Sequence, residues 1–202
     1  MNNQQPKSKN PPSITNTSHT ISLYVHLPFC ETKCPYCDFN TYSSIEPLIP
    51  RYLSSLCREI DIWGQFLDKR EANTIFFGGG TPSYIPGDGL GLVMNAISDS
   101  FQIKEGAEIT VEINPGDLTG DKLDHFQNSN FNRLSIGVQS FDNILLKLLG
   151  RRHTAQEAAA AYRTAIESGF ENVSIDLMYG LPYQTLDQWI DTLDIALNLS
   201  PT

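Results

Sequence analysis

Basic residues are scarce in this chain. Its 202 residues hold 14 Lys and Arg against 23 Asp and Glu, a formal net charge of -9. A surface of that sign repels phosphate backbones and anionic lipid, so nucleic acid is not an expected partner. Long hydrophobic runs are lacking too, and no stretch approaches the roughly 20 apolar residues of a membrane span. No transmembrane segment is therefore expected. The first twenty residues, MNNQQPKSKNPPSITNTSHT, hold no apolar run of the kind a secretory signal needs. Residues 1–20 read as a disordered leader, and the protein is expected to be cytoplasmic. Cysteine is sparse, with four in all. In an unsecreted chain such thiols stay reduced and free to hold metal.

From residue 21 onward, short extended runs alternate with longer amphipathic ones. The spacing predicts strands at about 21–28, 74–78, 108–114, 133–139 and 172–179. Helices are predicted at about 47–69, 87–100, 119–129, 154–168 and 185–198. Thr154 to Glu157 and Thr185 to Gln188 read as capping boxes, and Gly169 stands where a C-terminal cap belongs. Strands alternating with helices mean repeated βαβ units and a parallel sheet in one α/β domain.

A parallel sheet buried on both faces reads as continuous apolar runs, yet four of these five strands alternate. Val111 and Ile113 flank Glu112, Val138 precedes Gln139, and Ile175 and Leu177 flank Asp176. Each strand thus offers one face to helices and the other to a polar space. Crossovers in constant progression curl such a sheet into a barrel-like shape, which makes the polar face a lumen. Glu112, Gln139 and Asp176 converge there, and two carboxylates in a lumen imply a polar ligand or cationic partners.

Three cysteines, Cys30, Cys34 and Cys37, form C-x3-C-x2-C with no fourth nearby. Closed zinc sites and ordinary electron-transfer clusters take four protein ligands, so an incomplete set points to chemistry at the open position. Three thiolates suit three irons of a four-iron cluster and leave the fourth iron free. A second reading is a non-catalytic zinc module completed by His26. Cys57 shares a helical face with Leu53, Leu56 and Ile60 and reads as a core residue. His19, His125 and His153 read as surface or locally hydrogen-bonded groups. Gly78, Gly79 and Gly80 end the second strand and let backbone approach a small molecule closely. They do not match G-x-G-x-x-G, so no dinucleotide site is inferred.

These residues resemble the radical S-adenosylmethionine (SAM) superfamily, whose hallmark is C-x3-C-x2-C after a first strand with an aromatic between the last two cysteines. The string from Tyr24 through Phe39 looks like the branch containing oxygen-independent coproporphyrinogen III oxidase and the heme chaperones of the HemW type. FGGGTP at 77–82, VEINP at 111–115, RLSIGVQSF at 133–141, LGRRH at 149–153 and IDLMYGLP at 175–182 resemble that branch in the same order. The resemblance covers about residues 21–202. Porphyrinogen-oxidising members carry a fourth cysteine two positions after the third, where this chain has Phe39. The heme chaperones are thus favoured, with coproporphyrinogen III oxidation in porphyrin biosynthesis as the alternative.

The resemblance implies a partial (β/α) TIM-like barrel over 21–202, truncated after about five βα units, with the family's C-terminal domain absent. A missing sixth strand would leave strand five as an open apolar edge, so aggregation is expected when this chain is expressed alone. Cys30, Cys34 and Cys37 would ligate a [4Fe-4S] cluster, and SAM would chelate its open iron. In family enzymes an electron from the reduced cluster splits the sulfonium to a 5′-deoxyadenosyl radical. Tyr24 would lie by the methionyl or cluster end, and Gly79, Gly80 and Thr81 would take the methionyl amino group. Glu112, Gln139, Arg151 and Asp176 match positions lining the SAM pocket, Asp176 on a ribose hydroxyl. Read without the resemblance, Arg151 is equally a solvated arginine. Implied partners are heme or porphyrin (held by the absent region), an electron donor such as flavodoxin or ferredoxin, and a heme-acceptor protein.

Overall fold

The computed structural model describes residues 20–86 and 88–202. Residues 1–19, and with them His19 and nearly all of the expected leader, lie outside the described residues. Five parallel strands, β1 (Ile21–Leu27), β2 (Glu71–Gly79), β3 (Gln102–Ile113), β4 (Arg133–Gln139) and β5 (Asn172–Leu177), form one sheet in chain order. The helices among them are α1 (Ile49–Phe66), α2 (Gly89–Ser100), α3 (Gly120–Asn128), α4 (Asn143–Leu148), α5 (Ala155–Glu167) and α6 (Leu186–Leu199).

Alternate strand residues build one continuous core with the helices. Val25, Leu27, Ile75, Phe77, Ile109, Val111, Leu134, Ile136 and Val173 join Leu53, Met94, Leu123 and Ala158 in it. The intervening residues form the opposite, polar face. One rung runs Tyr24, Phe76, Thr110, Arg133 and Asn172 across all five strands. Arg133 ties the rung together, donating to Thr110 Oγ1 (3.4 Å) and Ser174 Oγ (3.0 Å) and pairing with Glu108 at 3.9 Å. Both expected capping boxes form, Thr154 with Glu157 and Thr185 with Gln188. Gly169 has φ 95° just beyond α5, a conformation other residues resist.

Two differences from the sequence expectation have local causes. β2 and β3 begin earlier than the alternation indicated, because Ala72 pairs with Ile103 while Thr74 pairs with Glu108. The intervening residues of β3 bulge past Gly106 (φ 74°) and break the two-residue period there. α4 was not expected at all. Six residues are too short to show helical periodicity, but Asp142 caps it by accepting from Ile144 N and Leu145 N at 2.7 and 3.0 Å. Leu145 and Leu149 pack with Leu181 in a small separate cluster, which fixes the chain entering Gly150 to Arg152.

β5 forms an edge of this sheet. Thr202 pairs with its beginning, donating to Val173 O at 3.1 Å and accepting from Val173 N at 3.2 Å. No helix among the described residues is long and apolar enough to cross a membrane.

Candidate functional site

The polar face opens into a cavity of about 880 Å³. Cys30, Cys34, Cys37, Gly79, Gly80, Thr81, Glu112, Gln139, Arg151 and Asp176 all line it. Tyr24 does not. Its ring stacks on Phe76, which does line the cavity, with centroids 6.1 Å apart, and its hydroxyl meets His26 Nδ1 at 3.1 Å. The second histidine nitrogen meets Asn40 O at 3.0 Å, so both ring nitrogens of His26 are engaged away from the thiols.

The cysteines sit on the loop after β1. Cys30 N donates to Tyr42 O and Tyr42 N donates to Pro28 O, at 2.9 and 2.8 Å, closing the base of that loop. The Gly78 to Gly80 run makes room for it. A Cβ on Gly80 would stand 2.6 Å from Phe29 O and 3.0 Å from Cys30 Sγ. Close backbone approach is therefore already used by the protein itself, beyond any use for a ligand. Thr81 N donates to Phe29 O at 2.8 Å, and Thr81 Oγ1 donates to Cys30 Sγ at 3.5 Å.

The two lumen carboxylates are held differently. Glu112 accepts from Gly79 N at 3.2 Å, yet burial, reinforced by the charge of Asp176, raises its pKa above the ordinary carboxylate value. Asp176 accepts from Ser135 Oγ at 3.1 and 3.2 Å. Solvent reaches it through the open cavity, but the surrounding protein still raises its pKa by desolvation, which Ser135, Arg133 and Arg151 partly counter. Gln139 ends β4 with φ 71°, a strained conformation for a non-glycine residue, beside a register shift against β5. Its carbonyl accepts from Met178 N at 2.9 Å, which fixes the turn.

Arg151 is not a solvated arginine. It donates to Gly137 O and reaches Cys34 Sγ at 3.8 Å and Tyr36 Oη at 3.5 Å. Its Nε is buried with no hydrogen-bond partner among the described residues. A buried donor left unmade costs about 1–3 kcal/mol, which suits a site completed by an anionic group. Burial pushes the Tyr36 phenol up to about 12, against the lowering effect of Arg151, so it remains a neutral donor. Sequence reasoning also passed over Arg152, whose guanidinium bridges Glu31 and Asp117, and Ser135, which holds Asp176. The two-residue period of β4 puts Ser135 on the same face as Gln139; Arg152 lies in the LGRRH run, but nothing there pointed to its ion pairs.

Cys57 lies apart on α1 and donates to Leu92 O at 3.9 Å, as a packing residue would. His153 is buried rather than superficial, with Nε2 donating to Val138 O at 3.1 Å. Among the described residues all four thiols are free, and no three His, Cys, Asp or Glu side chains converge on a point that would hold a single ion. With both ring nitrogens held by Tyr24 and Asn40, His26 is not placed to complete a zinc set. Three thiols lining one cavity suit an iron–sulfur cluster, which takes one thiolate at each of three corners. The donor set, the unpaired Arg151 Nε and the polar carboxylate wall fit a cluster with a small zwitterionic ligand beside it.

Comparison with known proteins agrees. A family model described as the radical SAM superfamily matches residues 24–196. The heme chaperone HemW of Escherichia coli K12 is 40% identical over 183 residues, covering 90% of this chain and 48% of that protein. HemW of Bacillus subtilis is 39% identical over 179 residues, covering 88% and 47%. The chain thus spans about half the length of the curated relatives it matches. Among solved structures, coproporphyrinogen III oxidase (HemN) from Escherichia coli, a radical SAM enzyme, superposes with a TM-score of 0.84. That match is 35% identical and covers 90% of this chain and 42% of that one. With the family model spanning most of its length and the cysteine loop set over a polar lumen, this chain belongs to the radical SAM superfamily.

Proposed function

We propose that this chain is the cluster- and SAM-binding part of a heme chaperone of the HemW type. Cys30, Cys34 and Cys37 hold a [4Fe-4S] cluster and SAM fills the cavity beside it. When bound, the cluster supplies an open coordination position and a one-electron donor. The observation that carries this reading is the sharing of one cavity by three free thiols, Arg151 and the carboxylates of Glu112 and Asp176. Glu112, the more enclosed of the two carboxylates, favours a polar ligand beside it. Asp176, fixed by Ser135, accepts from ribose hydroxyls. Arg151 offers its unpaired Nε to the methionyl carboxylate. The methionyl amino group, a donor, falls to backbone carbonyl oxygens of Gly79 and Gly80 and to the Thr81 hydroxyl oxygen. Tyr24 acts at one remove, supporting Phe76.

The relatives' name and the absence of a fourth cysteine at Phe39 favour heme handling over porphyrinogen oxidation. Phe39 lies at the cavity wall and is largely exposed. The likeness to HemN supports a second reading, oxidation of coproporphyrinogen III. Either function needs an electron donor of flavodoxin or ferredoxin type, and the first needs a heme-acceptor protein, in a cytoplasmic setting that keeps the thiols reduced.

Anaerobic reconstitution with iron and sulfide, followed by two assays, tests the choice. In a form extended to the relatives' full length, stoichiometric heme uptake without protoporphyrinogen formation supports the chaperone, and product from coproporphyrinogen supports the enzyme. Failure to take up iron overturns both.

A further inference from the structure

The loop carrying the cysteines has few holds on the rest of the fold. Among the described residues, every side-chain polar contact that residues 31–36 make outside their own loop goes to Arg151 or Arg152. Arg151 belongs to the cavity, as described above. Arg152 also stands at the cavity wall, but its guanidinium is engaged on both sides: one nitrogen pairs with Glu31, next to Cys30, and the other donates to Asp117 Oδ1 at 2.8 Å. Asp117 is nearly buried, on the short 3-10 turn after β3. It also accepts from Ser83 Oγ at 2.8 Å, and Ser83 Oγ in turn accepts from Asn114 N at 3.0 Å. Beside these arginines, Gly150 has φ 66°, and a Cβ there would come within 2.8 Å of Pro35 Cδ. Glycine is thus required at 150 both by the backbone and by the proline of the loop.

We propose that Gly150, Arg151 and Arg152 form a bench on which the cysteine loop docks, with Arg152 as the positioning residue that pins Glu31 to the buried Asp117. Arg152 acts through Glu31: both of its ion-pair partners are carboxylates, and neither is a thiol. Its contribution is to hold Cys30 and its neighbours at the cavity before anything binds there. The bench stands on the geometry of the chain itself; only its use, presenting thiols to a cluster, rests on the function proposed above. Loss of Arg152 does not strand Asp117, which keeps Ser83 and lies near Lys122. The fold therefore survives substitution while the loop is released.

Hydrogen exchange across residues 30–42 of the iron-free chain, where the Cys30, Cys37, Thr41 and Tyr42 amides are hydrogen-bonded, read by mass spectrometry, tests the bench apart from cluster chemistry. Arg152→Gln and Glu31→Gln should each speed exchange in that segment about tenfold, since each breaks a partly buried ion pair. The double variant should exchange no faster than either single one, because both remove the same link. Arg152→Lys should restore part of the protection. In the reconstituted protein, iron loss to a chelator should accelerate in the same order of variants. Exchange within about twofold of the parent in both single variants, or additive effects in the double, overturns the proposal. If Arg152→Gln loosens the sheet as well, Glu31→Gln decides alone, because Glu31 lies half exposed on the loop. Failure of the parent to bind iron, with the exchange pattern intact, would count against the cluster and leave the bench standing.

Discussion

Gly79 N–H donates to Glu112 Oε2 across 3.2 Å, joining the end of β2 to the polar face of β3. That bond favours the carboxylate, but burial and the nearby Asp176 outweigh it and raise the pKa. A raised acid supports the fold fully only below its ordinary value of 4.5, and that support is lost as pH rises through the native value. Glu112→Gln keeps an acceptor for Gly79 and removes the charge. At pH 7 it should stabilise the ligand-free chain by at most about 1 kcal/mol after solvent screening, while weakening SAM binding at least about tenfold. Thermal melts between pH 4 and 8 check the sign. The advantage of the variant should vanish toward pH 4, and an advantage independent of pH would refute this account.

The cysteines divide into three and one. Cys34→Ser or Cys37→Ser should abolish stable iron and sulfide content after reconstitution, since two thiolates cannot hold the cluster. Cys57→Ser should leave that content unchanged, because its thiol sits on α1 against Leu92 O. Elemental analysis with the brown absorbance of the protein reads both outcomes. Equal losses in all variants would show that the metal is adventitious.

Much of this site was legible before any coordinates, for physical reasons. The two-residue period of β3, β4 and β5 placed Glu112, Gln139 and Asp176 on one face, and all three line the cavity. Tyr24 obeyed the same period and stands beside the cavity rather than in its lining, stacked on Phe76 and within reach of the Glu112 charge. Arg152 was invisible for a different reason. Its role depends on bringing together Glu31 and Asp117, 86 residues apart in sequence and on different strand ends. His153 was read as a surface or locally hydrogen-bonded group; it does make a hydrogen bond, but the turn after α4 folds it inward against Val138. Periodicity reports which way a side chain points from a strand; it is silent on what irregular segments pack together.

Gly80 offers a contrast with glycines that meet nothing. A Cβ there would press on the Phe29 backbone at 2.6 and 2.9 Å, and backbone in a closed loop cannot yield cheaply. Gly80→Ala should cost about 2 kcal/mol or more and loosen the cysteine loop. At Gly120, in the first turn of α3, a Cβ meets nothing within 4 Å. Gly120→Ala should be neutral or stabilise by up to about 1 kcal/mol. Denaturant melts of the two variants measure the difference, and equal effects would remove the steric argument for the loop.

His153 gives the fold an acid limit. Burial, with Arg151 beside it, holds the imidazole down to about 4 against an ordinary 6.5, despite the hydrogen bond to Val138 O. Its Nε2 must carry the proton to donate to that carbonyl, so Nδ1 is left as a buried bare acceptor. The depressed value means that the unfolded chain takes up a proton near 6.5 while the native chain resists until about 4. Stability is therefore complete above 6.5 and falls as pH drops through that window, by an amount of order 3 kcal/mol. Glu112 and Asp176 work in the opposite direction over part of the same range, so the parent curve alone does not isolate the histidine. His153→Gln does: it should be less stable than the parent at pH 7, through lost packing, and draw level with or overtake it near pH 4. Chemical denaturation of both proteins at half-unit steps of pH measures this crossing, and parallel curves would mean that His153 carries no titrating load.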